Sequence, residues 1–113
     1  FHTPVFVLTH AKRDPWVRPG GTTFHFVNDG PERALALARA AAGGKDVRIA
    51  GGADVIQQYL NLGVVDELEI ALAPVLFGGG RRLFENLRDP GPRFRIDRVI
   101  DGPAATHLRY LRQ

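Results

Sequence analysis

Ile49-Ala50-Gly51-Gly52-Ala53-Asp54-Val55-Ile56 is the stretch on which the reading of this chain turns. Val47 to Ala50 has strand chemistry, two glycines follow at once, and residues 53 to 62 then read as a helix burying Val55, Ile56, Tyr59 and Leu60, with Gly63 as its stop. A helix start carries unpaired N–H groups and the positive end of the peptide dipole, which together attract phosphate oxygens. Glycine without a Cβ lets such a ligand come close to the backbone. The pair is not a G-x-G-x-x-G fingerprint and no Walker lysine follows, so on spacing alone a plain tight turn is the better reading. Asp54 is the discordant residue: a carboxylate beside a phosphate is repulsive, so it must point away or act as a cap.

Working outward, Val5-Phe6-Val7-Leu8 is a short continuous apolar run, as expected of a strand covered on both faces. Residues 11 to 21 carry loop chemistry, and residues 22 to 27 read as a second strand rich in β-branched and aromatic side chains. Pro31 suits a first helical position after Asp29 or Gly30 as N-cap, and the helix 32–42 shows Ala34, Leu37, Ala38 and Ala41 on one stripe before Gly43-Gly44. Beyond Gly63, Leu68, Ile70 and Leu72 alternate with Glu67, Glu69 and Ala71 in a strand expected over 66–76 with one wet face. Gly78-Gly79-Gly80 marks a turn and 83–87 a short helical piece. Residues 94–100 and 106–111 form an expected hairpin about Asp101-Gly102-Pro103, with a bulge near Arg98. The order β-β-α-β-α-β-β-β predicts an α/β fold: a mixed, mostly parallel sheet flanked by helices, with a C-terminal antiparallel hairpin.

The 113 residues suit one small domain or a piece of a larger one. No run of 18 apolar residues exists, so no membrane partner is expected. Cysteine is absent, which removes disulfides and thiolate chemistry and leaves a cytoplasmic location as the expectation. Serine is absent too, excluding a serine nucleophile. His2, His10, His25 and His107 lack close ligand spacing, so no metal is expected. The net charge of +3 reflects arginines crowded into the last third, a solvated surface in the simplest reading and a nucleic-acid surface in a weaker one. Glu67 with Glu69 reads as a solvated face, and Trp16, Phe24 and Phe26 as core residues before a base-stacking platform. Leu8-Thr9-His10, followed by Lys12 and Arg13, leaves the carboxyl end of the first strand, where ligands of parallel sheets gather; a hydroxyl, an imidazole and two cations there suit an adenosine 2′-phosphate, and a plain polar loop is an equally good reading.

Taken together, residues 1–10, 20–27, 43–53, 62–68 and 73–84 resemble dihydrofolate-reductase-like proteins of the riboflavin-biosynthesis reductase (RibD C-terminal domain) type, over nearly the whole chain. The resemblance implies an NADPH-dependent oxidoreductase acting on a small heterocycle, of pteridine or ribosylamino-pyrimidine class. It implies that Ala50, Gly51, Gly52, Ala53, Asp54 and Val55 hold the cofactor pyrophosphate, through a peptide between the two glycines that is cis in relatives. Leu8, Thr9 and His10 match its adenosine side, with Lys12 and Arg13 near the 2′-phosphate. A homodimer is the implied assembly. The chain is read as residues 1–113 of the C-terminal portion of one reductase domain whose front half, carrying the substrate side, lies outside this sequence, so no catalytic residue is assigned. A non-catalytic, reductase-like module that dimerises through its sheet is the alternative.

Overall fold

The computed structural model describes residues 3–10, 12–88, 91 and 93–113. Phe1 and His2 of the family-like opening, and Ala11 at the start of the expected loop, lie outside the described residues. The chain forms two compact units that meet in sequence at Ala50 and Gly51.

The first unit holds β1 (Val5–Leu8), β2 (Trp16–Val17), β3 (Thr23–Val27) and α1 (Pro31–Ala42). Its sheet has the order β1-β3-β2, with β1 parallel and β2 antiparallel to β3. β2 falls inside the stretch read as loop. Its turn closes through the Arg18 amide donating to the Thr22 carbonyl at 2.7 Å, and Trp16 lies beside Phe24 with ring centroids 5.6 Å apart. That aromatic pair across a short antiparallel ladder is the signal the loop reading passed over. α1 packs against β1, with Gly30 as N-cap, Pro31 in its first turn and Ala34 buried. A small buried residue permits close helix–sheet approach.

The strand expected at Val47–Ala50 carries no ladder among the described residues. Val47 and Ile49 are half-buried while Arg48 and Ala50 are exposed, so the alternation of a strand is present without a hydrogen-bonded neighbour. Among the described residues the parallel character predicted from the element order is accordingly confined to β1–β3, and the other three pairings are antiparallel.

The second unit holds α2 (Ala53–Leu62), β4 (Glu67–Leu72), β5 (Phe94–Asp101) and β6 (Thr106–Arg112), in an antiparallel sheet of order β4-β6-β5. β5 and β6 form the expected hairpin, and the register shifts between Ile96 and Arg98, where the bulge was expected. One face carries Leu68 and Ile70 opposite Tyr110 and Leu108; the other carries Glu67 and Glu69 opposite Leu111 and Arg109. β4 is shorter than the expected 66–76 because its partner β6 begins at Thr106, opposite Leu72, and Pro74 follows with no N–H to offer. Arg112 fixes the far end: its guanidinium donates to the Gly63 carbonyl and pairs with Asp66 at 2.7 Å, while its amide donates to the Asp66 carbonyl.

Residues 83–87 are not helical. Side chains from α2 take up their backbone groups instead. Gln57 Nε2 donates to the carbonyls of Arg82 at 2.9 Å and Leu83 at 3.0 Å. Asn61 donates to the Asn86 carbonyl and accepts from the Arg88 amide, each at 2.9 Å. Asn86 sits at φ 57°, a left-handed conformation that asparagine tolerates better than most residues.

Candidate functional site

The sequence-predicted site residues divide between the two units. In the second, Gly51 to Val55 are contiguous and open α2. The Gly51–Gly52 peptide is cis. Gly51 has φ +119°, a backbone conformation side-chain-bearing residues rarely adopt. Gly52 is the N-cap at φ −68°, and a Cβ built there would meet no atom within 4 Å. The backbone faces open space at that position.

The first helical bond runs from the Ile56 amide to the Gly52 carbonyl at 3.1 Å. The amides of Ala53, Asp54 and Val55 therefore lie ahead of the ladder, and no side chain caps the helix start. Asp54 does not fill that role; it is exposed in the first turn, where its charge opposes the dipole's positive end. Three donors, two glycines and an open approach fit a phosphate group. The one feature acting against it is the Asp54 carboxylate.

In the first unit, Leu8 ends β1, and the Thr9 amide continues the ladder by donating to the Val27 carbonyl at 3.0 Å. His10 beyond it is exposed, as is Lys12. The Arg13 guanidinium lies over the Phe26 ring, 4.6 Å from its centroid, and Arg18 covers Trp16 at 4.5 Å. The aromatics of β2 and β3 are thus partly capped by cations, and Phe6 stacks on His25 at 5.1 Å. Ala50 is the last residue of this unit and is exposed.

The Glu67–Glu69 pair has a clear structural role that sequence reading missed. Arg109, across the ladder, lies 2.8 Å from Glu67, 3.5 Å from Asp97 and 3.9 Å from Glu69. Its pKa is raised above the ordinary guanidinium value, first by the Glu67 hydrogen bond and charge, with Asp97 and Glu69 adding and desolvation opposing. A permanently charged guanidinium between three carboxylates is a strand-pairing device, not proton-transfer chemistry. Register would have found it: Glu69 stands directly opposite Arg109. Burial raises the Tyr59 pKa above its usual value, and no group of three or more candidate metal ligands lies together among the described residues. No helix among them is long and apolar enough to cross a membrane.

Comparison with known proteins bears on the fold and the family. The crystal structure of the "Putative riboflavin biosynthesis protein" of Shewanella sp. PV-4 superposes with a TM-score of 0.76 at 28% identity, over 97% of this chain and 60% of that one. "Uncharacterized protein YwjB" of Bacillus subtilis (strain 168) is 30% identical over 87 residues, 77% of this chain and 49% of that protein. "Uncharacterized protein YyaP" of the same organism is 42% identical over 45 residues, 40% of this chain and 24% of that protein. The match thus spans half or less of these curated relatives' length. The family model of the RibD C-terminal domain matches residues 4–108, and the chain belongs to that family.

Proposed function

We propose that this chain forms the cofactor-binding part of an NADPH-dependent reductase acting on a small heterocycle of the pteridine or ribosylamino-pyrimidine class, as in riboflavin biosynthesis. The observation that carries the reading is the start of α2: amides of Ala53, Asp54 and Val55 ahead of the helical ladder, behind a glycine whose Cβ position is open. Family membership and the name of the Shewanella protein support the substrate class. Ala50 to Val55 hold the pyrophosphate. From sequence and resemblance alone, Leu8, Thr9 and His10 are assigned to the adenosine end, and Lys12 with Arg13 to a 2′-phosphate. Bound there, the nicotinamide supplies a hydride, and the chain's own contribution is placement.

Calorimetric titration with NADPH and with NADH tests this. Saturable NADPH binding, with NADH weaker, is expected. Absence of NADPH binding at millimolar concentration overturns it. The outer edge of β4, unpaired among the described residues, favours a second reading: a reductase-like module that self-associates edge to edge without catalysis. Under that reading, sedimentation shows a dimer and calorimetry shows no NADPH heat.

A further inference from the structure

We propose a second binding site, wholly inside the 51–113 unit, for a small planar aromatic monoanion. The site is a cavity of about 440 Å³ between the apolar sheet face and the loop that α2 holds. Its volume falls in the range of small-molecule sites, roughly 300–1,000 Å³. Leu68 and Ile70 of β4 form its floor with Phe94 of β5 and Tyr110 of β6; Leu60 of α2 closes one side, and Phe84 and Arg88 come from the loop.

Three features make this more than a packing defect. The loop wall cannot simply fall inward, because Gln57 is buried and holds the carbonyls of Arg82 and Leu83, while Asn61 grips Asn86 and Arg88 from the same helix. A fixed wall over an apolar floor is preorganised, which lowers the ordering cost of binding. Three of the lining side chains are aromatic, which suits a flat ring system. Two side chains with polar ends, Arg88 and Tyr110, line the cavity. The Arg88 guanidinium has no ion pair among the described residues and supplies a fork for a carboxylate or sulfonate, and the Tyr110 hydroxyl, likewise without a protein partner among them, offers a second hydrogen bond. The resulting chemistry is an apolar plate with one anionic edge.

The experiment uses two probes that differ in charge: 8-anilinonaphthalene-1-sulfonate and the neutral N-phenyl-1-naphthylamine. Each is titrated by fluorescence and calorimetry against the wild-type chain, Arg88→Gln and Ile70→Trp. Both probes are expected to bind one to one. Arg88→Gln, a surface-accessible change, should weaken the sulfonate by about 5- to 10-fold, as loss of a charge-assisted contact does, and leave the neutral probe unchanged. Ile70→Trp fills the floor and should weaken both; thermal unfolding reports whether that variant folds, and the Arg88→Gln comparison stands without it. Equal affinity of the sulfonate for wild type and Arg88→Gln overturns the proposal, as does binding with no defined stoichiometry, which places the probe on exposed surface such as Leu76 and Phe77. NADPH enters none of these readouts, so failure here and failure of the reductase reading are separable.

Discussion

Gly52→Asp separates the fold from the cofactor site, because the two respond with opposite signs. At the N-cap, aspartate is a preferred residue whose side chain accepts from the free amides of the first turn, and relative to glycine it gains a few tenths of a kcal/mol. Nothing obstructs it: the Gly52 φ of −68° is ordinary for any residue, and no atom lies within 4 Å of the new Cβ. Thermal stability is expected to hold or rise slightly. A pyrophosphate over the same amides meets a new negative charge roughly 6 Å away. Coulomb's law then gives about 0.7 kcal/mol at a dielectric of ~80 and about 2.8 kcal/mol at ~20 for each unit charge. NADPH affinity should therefore fall by about 3- to 100-fold, since ~1.4 kcal/mol is tenfold. Calorimetry at matched ionic strength measures the affinity and circular dichroism the melting. Unchanged NADPH affinity in a folded Gly52→Asp protein refutes the placement of the pyrophosphate at the start of α2. Loss of affinity together with unfolding refutes the claim that the position is structurally free.

Other consequences follow from the same geometry. Asp54→Asn removes the opposing carboxylate from the first turn and should tighten NADPH binding about 2- to 5-fold at low salt, an effect that shrinks as ionic strength rises; titrations at two salt concentrations decide it. Gln57→Ala strips two carbonyls of their donor in a part-buried setting and should lower stability by about 1–3 kcal/mol, with hydrogen exchange accelerated over residues 82–88 ahead of the β4–β6 ladder. Arg109→Leu leaves Glu67, Glu69 and Asp97 facing one another. Their mutual repulsion should destabilise the sheet most at low ionic strength and lessen as salt screens it; denaturant melts at two salt concentrations show whether it does.

Much of the fold was legible because local signals and tertiary context agreed. α2 begins at Ala53 and ends at Leu62 as its glycines dictate, and Pro31 sits in the first turn of α1 for the reason its missing N–H suggests. Sequence reading failed where a partner decides the outcome. Val47–Ala50 has the alternation of a strand, but a strand is a relation between two segments, and no described neighbour pairs with it. Residues 83–87 have a helical composition, yet Gln57 and Asn61, more than twenty residues earlier, bond the backbone groups that a helix would have used. Trp16–Val17 pairs because Phe24 lies across from it, an aromatic match masked by the loop-like composition around Trp16.

The candidate sites were legible to different degrees for the same reason. A phosphate site at a helix start is made of backbone, and backbone geometry follows from local sequence: two glycines, a strand-like run before them and a helix after them draw attention to Gly51 to Val55, while the pyrophosphate role came from the family resemblance. The cavity in the second unit is made of side chains from one helix, three strands and a loop, brought together by the β4-β6-β5 order and by amide side chains of α2. No spacing rule links Leu60, Ile70, Arg88 and Tyr110. The two sites share only α2, whose first turn presents free amides and whose later turns, at Gln57 and Asn61, set the cavity wall. A substitution at Gln57 should therefore disturb the cavity while leaving the helix start intact, and one at Gly52 should do the reverse. That double dissociation follows from one helix serving two sites through separate turns.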